Sequence, residues 1–210
     1  MQPQPPCRTT HTFTEAGNPL VYDRWGTAGR PVLLLHSLLL DRTLWWPVAA
    51  ELAGFCTVIA PDLPGHGETP PAGGCTPDHV AAQLALLLHS VRANLAPVVV
   101  AHANTGCLAA ALAENYATHA ATIIDGTGGR TGNDVEAVLA EAGIEQVPSI
   151  YRPFAVPRRD PVLLSAYRSW LELSPWRQPV PLTGWSDPEP RTCTPLTDPE
   201  GLAGRIRAML

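Results

Sequence analysis

The stretch Val58-Ile59-Ala60-Pro61-Asp62-Leu63-Pro64-Gly65-His66-Gly67-Glu68-Thr69 joins a short apolar run to a turn built of Pro, Asp and Gly. An apolar run of this length without alternation reads as a strand buried on both faces, here over residues 57–60, and the residues after it stop it. The same texture recurs on either side. Residues 20–25, 32–35, 97–101, 122–124 and, more weakly, 179–183 read as further strands, and residues 45–52, 77–94, 106–116, 134–143, 161–173 and 198–210 read as helices. The helix over 77–94 is the best marked. Its Val80, Leu84, Leu87, Leu88 and Val91 recur at helical spacing, with Thr76 or Asp78 available as a cap. Strands alternating with helices predict an α/β fold with a mostly parallel sheet covered on both faces.

Length and composition bound what such a chain does. At 210 residues and 22.4 kDa, with 45% apolar residues, 16% charged residues and six Trp, it is expected to form one domain over 1–210 with a sizeable core. After residue 124 the linkers become rich in Pro and Arg, so residues 130–178 are expected to be a lid inserted over the sheet. All fourteen basic residues are Arg, so no lysine is available as a general base or for a Schiff base. The net charge of −5 argues against a nucleic-acid partner. Cys7, Cys56, Cys75, Cys107 and Cys193 are scattered without a Cys-x-x-Cys pair, which signals neither a disulfide framework nor zinc. The start carries no leader pattern, and no apolar run reaches the roughly 18 residues of a membrane helix. The expectation is a soluble, cytoplasmic protein with no membrane partner, no metal and no cofactor.

Three segments in order make the chain resemble the α/β-hydrolase fold family, especially its enol-lactonase-like and esterase-like members. Val32-Leu33-Leu34-Leu35-His36-Ser37, followed by residues 38–46, resembles the strand and loop that supply one oxyanion-hole N–H in that family. Residues 58–69 look like its Asp-x-x-Gly-x-Gly-x-Ser loop, the most specific of the three matches. Val98-Val99-Val100-Ala101-His102-Ala103-Asn104-Thr105-Gly106 falls where the family has a strand, a nucleophile elbow and a helix. The resemblance covers roughly residues 8–210 and implies a sheet with helices on both faces and a small helical lid, shortened at its C-terminus.

The elbow departs from the family pattern. Ala103 stands in the serine position and Thr105 in a glycine position of Gly-x-Ser-x-Gly. A methyl group has no lone pair and no transferable proton, so acyl transfer through residue 103 is excluded. Asp187 lies in the place of the triad acid, but the last histidine of the chain is His119, so the base expected after Asp187 is missing. Asp125, just after the 122–124 strand, matches the alternative acid position of some relatives, where a carboxylate alone could still act as a general base. Cys107 lies one helical turn past Ala103 and is not expected to reach the pocket. By resemblance, His102 packs beneath the elbow, and His36 and His66 belong structurally to their loops.

What the resemblance leaves in place is the oxyanion hole, formed by the N–H of Asn104 and that of Ser37 or Leu38. The pocket above it is expected to be lined by Leu39, the Trp45–Trp46 pair and aromatics such as Tyr151, Phe154, Tyr167, Trp170 and Trp176. The expected function is therefore non-hydrolytic: binding of a small hydrophobic carbonyl compound and promotion of a cyclisation, lyase or isomerase reaction of secondary metabolism. One alternative is a catalytically inactive binding or interaction protein, pairing as a homodimer or with another protein through an exposed sheet edge. The other is an ester or lactone hydrolase seen as a Ser-to-Ala variant or completed by a partner.

Overall fold

The computed structural model describes residues 7–14, 18–91, 94–126, 134–172 and 193–210. Six strands form one sheet in the order β1-β2-β4-β3-β5-β6: β1 Thr9–Phe13, β2 Leu20–Trp25, β3 Pro31–Leu35, β4 Thr57–Pro61, β5 Val98–His102 and β6 Ala120–Ile124. From β4 through β3 and β5 to β6 the pairing is parallel, while β1 and β2 continue the sheet antiparallel beyond β4. The carboxyl ends of β3, β5 and β6 therefore lie side by side on one edge, where an α/β sheet usually builds its site.

Strand alternation sorts the core onto two faces. Leu33, Leu35, Val99, Ala101 and Ile123 pack on one side with α2 (Pro77–Ser90) and α3 (Gly106–Asn115). Val32, Leu34, Val98, Val100 and Ile124 pack on the other with α1 (Trp46–Leu52) and α8 (Pro199–Arg207). The α2 helix rests on α3, and α1 rests on α8. Each fully buried Leu or Val contributes on the order of 2 kcal/mol of transfer free energy, which makes these two layers the bulk of the stability.

Four features differ from expectation. Strand β1 was not anticipated, because four of its five residues are exposed and its sequence TTHTF has no apolar pattern; pairing to β2, with Thr9 opposite Arg24 and Phe13 opposite Leu20, makes it a strand. The helix expected over 77–94 stops at Ser90. The helix expected over 161–173 is two, α5 (Pro161–Ala166) and α6 (Arg168–Glu172), broken where the buried Tyr167 donates its hydroxyl to Pro64 O at 2.7 Å. A short α7 (Thr194–Thr197) precedes α8, which Asp198 caps by accepting from Gly201 N–H at 3.1 Å. The strand expected over 179–183 lies outside the described residues. Among the described residues, no helix is long and apolar enough to cross a membrane.

The loop after β4 is held by its own carboxylate. Asp62 is fully buried and accepts the backbone N–H groups of Arg42 and Glu68, each at 2.8 Å, as well as the Arg42 guanidinium. Arg42 also reaches Glu68 at 2.9 Å and Asp23 at 3.2 Å. Gly67 has φ +50°, and a Cβ there would sit 2.1 Å from Asp62 Oδ2, so the loop closes around Asp62 only with glycine. Burial disfavours the Arg42 charge, but the bond to Glu68 and the charges of Asp62 and Asp23 outweigh it and raise its pKa.

Candidate functional site

Strand β5 ends at His102 and the chain turns through residues 103–105 into α3. Ala103, 4% exposed, sits in this turn at φ +51°. A left-handed backbone costs a residue with a Cβ roughly 1–2 kcal/mol. The non-glycine residues with positive φ among the described residues are Leu39 (67°), Ala103 (51°) and Asp125 (56°), one after each of β3, β5 and β6. The turn is tied down by Thr105, which is buried and donates its hydroxyl to His102 O at 3.0 Å. Behind it, a Cβ on Gly106 would lie 2.6 Å from Ile123 Cδ1, so glycine lets α3 press on β6.

The loop after β3 is tied to the turn after β5. Leu38 N–H donates to Asn104 Oδ1 at 2.8 Å, so an amide carbonyl occupies the donor that the resemblance assigns to a substrate carbonyl. Asn104 Nδ2 is buried without a hydrogen-bond partner.

Directly beside this pair, three side chains from three strand ends meet. Ser37 Oγ is 3.0 Å from His102 Nδ1, and His102 Nε2 is 3.1 Å from Asp125 Oδ2. Ser37 and His102 are fully buried and Asp125 is 3% exposed. Thr194 at the start of α7 donates its N–H to Asp125 Oδ2 at 2.7 Å and its hydroxyl to Asp125 Oδ1 at 2.6 Å. An ionised carboxylate only accepts, so Nε2 carries the imidazole proton and Nδ1 is left to accept from the Ser37 hydroxyl. The ring edge of Trp45 lies toward His102 at a centroid distance of 6.3 Å.

The other histidines serve the loops. His36 Nε2 accepts from Leu63 N–H at 3.0 Å, and its Nδ1 donates to Ser37 O at 2.9 Å; burial lowers its pKa. His66 donates from Nδ1 to Pro64 O at 3.1 Å and packs edge-on against Tyr167. Burial, with the His36 charge next, brings its pKa down to about 3. Cys107 is buried, which pushes its thiol up to about 12 and leaves it protonated.

The residues expected to line one pocket are divided between two places. Leu39, Tyr167 and Trp170 belong to the α2–α3 side, all at most 2% exposed. Trp170 Nε1 donates to Cys75 O at 2.5 Å, which fastens α6 to the loop before α2. Trp45 is fully buried in the core on the α1 side, with Tyr151 and Phe154 packed against that core. Trp46 donates to Asp23 Oδ2 at 2.8 Å beneath the Arg8 guanidinium, over toward β2. Trp45 and Trp46 are thus spent on packing away from Trp170, Trp45 in the core beside α1 and Trp46 on Asp23 of β2. Asp187 and Trp176 lie outside the described residues. The helices α4 (Val135–Glu141) and α6 both touch the 103–105 turn. Between them and α5 lies a cleft of about 330 Å³, lined by Asp134, Val135, Pro161, Leu164, Ser165, Arg168 and Leu171. No group of three or more His, Cys, Asp and Glu that could hold a metal occurs among the described residues.

The meeting of Ser37 with His102, and the role of Thr194, escape a reading of the sequence, because the partners are 65 and 69 positions apart. The available signal was positional. Ser37, His102 and Asp125 are each a polar residue at or just past the end of an apolar parallel strand.

Comparison with known proteins agrees with this architecture. Among solved structures, Cfl2 from Burkholderia cenocepacia is 28% identical with a TM-score of 0.53 over 60% of this chain and 44% of that one. The epoxide hydrolase CorEH is 27% identical with a TM-score of 0.53 over 57% of this chain and 42% of that one. The chain therefore spans less than half the length of these two. An AqdC variant, solved with its substrate for recognition and ring cleavage of the Pseudomonas quinolone signal, is 16% identical and shares the fold with a TM-score of 0.74 over 96% of this chain and 98% of that one. No curated protein matches the sequence. The family described as alpha/beta hydrolase matches residues 32–208, well over half of the sequence, and the chain belongs to the alpha/beta hydrolase family.

Proposed function

We propose that the chain binds a small hydrophobic carbonyl compound over the elbow and promotes a cyclisation, elimination or isomerisation by positioning and polarising it, with no acyl-enzyme. The observation that carries this is the strained turn at Ala103: the backbone that normally presents a nucleophile is kept at φ +51° while its side chain is a methyl group. Strain held at a strand end is a feature of sites, and Leu39 and Asp125 beside it share it. Leu38 N–H already holds an amide carbonyl at 2.8 Å, which is the interaction a ligand carbonyl would make. In this reading Ser37, Leu38, Leu39, Ala103 and Asn104 frame the ligand, Trp170 holds the lid over it, and Asp125 supplies the charge beneath. Trp45 backs His102 rather than touching the ligand. Holding a reactive conformer in such a frame lowers a unimolecular barrier without a nucleophile. The AqdC variant, a neighbour in fold alone, recognises and ring-cleaves the Pseudomonas quinolone signal.

The test is to incubate purified protein with aryl esters and with hydrophobic polyketide-type carbonyl compounds. Esters are expected to disappear at the buffer rate and at least one carbonyl compound faster. Ester turnover would overturn the non-hydrolytic assignment, and buffer rates throughout would overturn catalysis. Binding without turnover would instead favour an inactive binding protein, a reading supported by the self-closed Leu38–Asn104 contact.

A further inference from the structure

The non-nucleophilic reading leaves one chemical element unassigned, the group that moves a proton. We propose that Ser37, His102 and Asp125 form a proton relay, with the Ser37 hydroxyl as the group that exchanges a proton with the bound carbonyl compound. This rests on the carbonyl-binding reading and gives it its acid–base step.

Three observations carry it. The contacts of 3.0 Å and 3.1 Å are of the length and order expected for a hydroxyl activated by an imidazole that a carboxylate orients. The two hydrogen bonds from Thr194 fix both Asp125 oxygens, so the carboxylate is aimed at His102 and not free to turn away. Ser37 is also the chain neighbour of Leu38, whose N–H is the carbonyl donor of the site, so proton transfer and carbonyl polarisation originate from adjacent residues. Asn104 is the stopper. Its side-chain carbonyl fills the Leu38 donor and its Nδ2 is buried unpartnered, so a ligand carbonyl that displaces Oδ1 takes the donor one residue along the chain from Ser37.

The step balances without any co-reactant. A proton on carbon next to the ligand carbonyl passes to Ser37 Oγ as the Ser37 hydroxyl proton passes to His102 Nδ1. The electron pair of the broken C–H bond becomes an enolate, whose oxygen is held by Leu38 N–H. Asp125 faces the imidazolium so formed, and reversal returns a proton either to the same carbon, which is exchange, or to a conjugated carbon, which is an isomerisation. The substrate class is accordingly an enolisable hydrophobic ketone. In this step Ser37 and His102 are the catalytic residues, and Asp125 and Thr194 act through His102 as positioning residues.

The experiment uses the full chain in D₂O with 2-tetralone as probe, following binding by ligand-observed NMR and deuterium entry at the α-carbon. The relay predicts binding together with α-exchange faster than in buffer. It also predicts that Ser37→Ala and His102→Gln each lower exchange per bound probe by tenfold or more, measured at saturating probe. A purely structural role for the cluster would change melting temperature but not exchange per bound probe. Tight binding with exchange at the buffer rate, or with exchange unchanged in Ser37→Ala, overturns the relay and leaves the binding reading standing. Absence of binding overturns both.

Discussion

Ala103 retains a left-handed backbone with nothing catalytic on it, so the strain there has a measurable signature. Glycine in a regular helix costs about 0.5–1 kcal/mol relative to alanine, whereas at φ +51° it relieves about 1–2 kcal/mol of steric cost. Ala103→Gly is therefore expected to be neutral or stabilising by up to about 1 kcal/mol, raising the melting temperature by as much as about 2–4 °C. Ala109→Gly, within α3 and fully buried, should lower it instead. Equal losses at the two positions would show that the elbow carries no strain. At Gly67 the sign reverses, because a methyl group would strike Asp62 Oδ2 and displace the carboxylate from Arg42 and Glu68. Gly67→Ala is expected to cost on the order of 3 kcal/mol in urea unfolding, the scale of a broken buried ion pair. A loss under about 1 kcal/mol would show that the loop closes by other contacts.

At the scale of elements, what the sequence displays is what hydrophobic burial writes into it. The runs that became β2 to β6 are legible because both faces are covered, and the 58–69 loop is legible because Gly67 and Asp62 constrain each other chemically. Strand β1 is not, since its exposed Thr and His residues carry no pattern and only pairing with β2 makes it a strand. The break at Tyr167 is equally silent, because it follows from a hydroxyl reaching Pro64 O more than a hundred residues away. The candidate site divides the same way. Ala103, Asn104, Leu38 and Asp125 are legible from motif positions, but the side-chain meeting of Ser37, His102 and Asp125 depends on the strand order β3-β5-β6, which alternation alone does not specify. The helices α5 and α6 depend on their anchors. Tyr167→Phe removes a hydrogen bond worth about 1 kcal/mol. Pro64 O still accepts from His66 Nδ1, so the expected effect is local: faster amide hydrogen exchange in α5 and α6 with the sheet unchanged. Unchanged exchange in both helices would show that Tyr167 does not anchor them.

At the scale of the whole molecule, the buried histidines set the acid limb of stability. Folded His66 stays neutral down to about 3, whereas the unfolded imidazole takes up its proton near the ordinary 6.5; burial lowers His36 in the same direction. Between these values the unfolded chain binds more protons, so stability is full above about pH 6.5 and falls as pH drops toward 3, by about 1.4 kcal/mol per pH unit for each histidine while it titrates. Asp62, whose carboxyl burial raises, acts in the opposite sense. His66→Gln is expected to flatten the limb measured by urea unfolding across this range, and an unchanged slope would remove His66 from the account. The central claim, that this member of the family holds a carbonyl over an elbow without a nucleophile, is tested most directly by the ¹³C resonance of a carbonyl-labelled hydrophobic ketone added to the protein. The account predicts that the carbonyl signal moves downfield on binding and that Ala103→Leu, which puts a larger side chain at the proposed binding turn, abolishes the shift; a bound ketone whose carbonyl resonance does not move, or moves equally in Ala103→Leu, would contradict it.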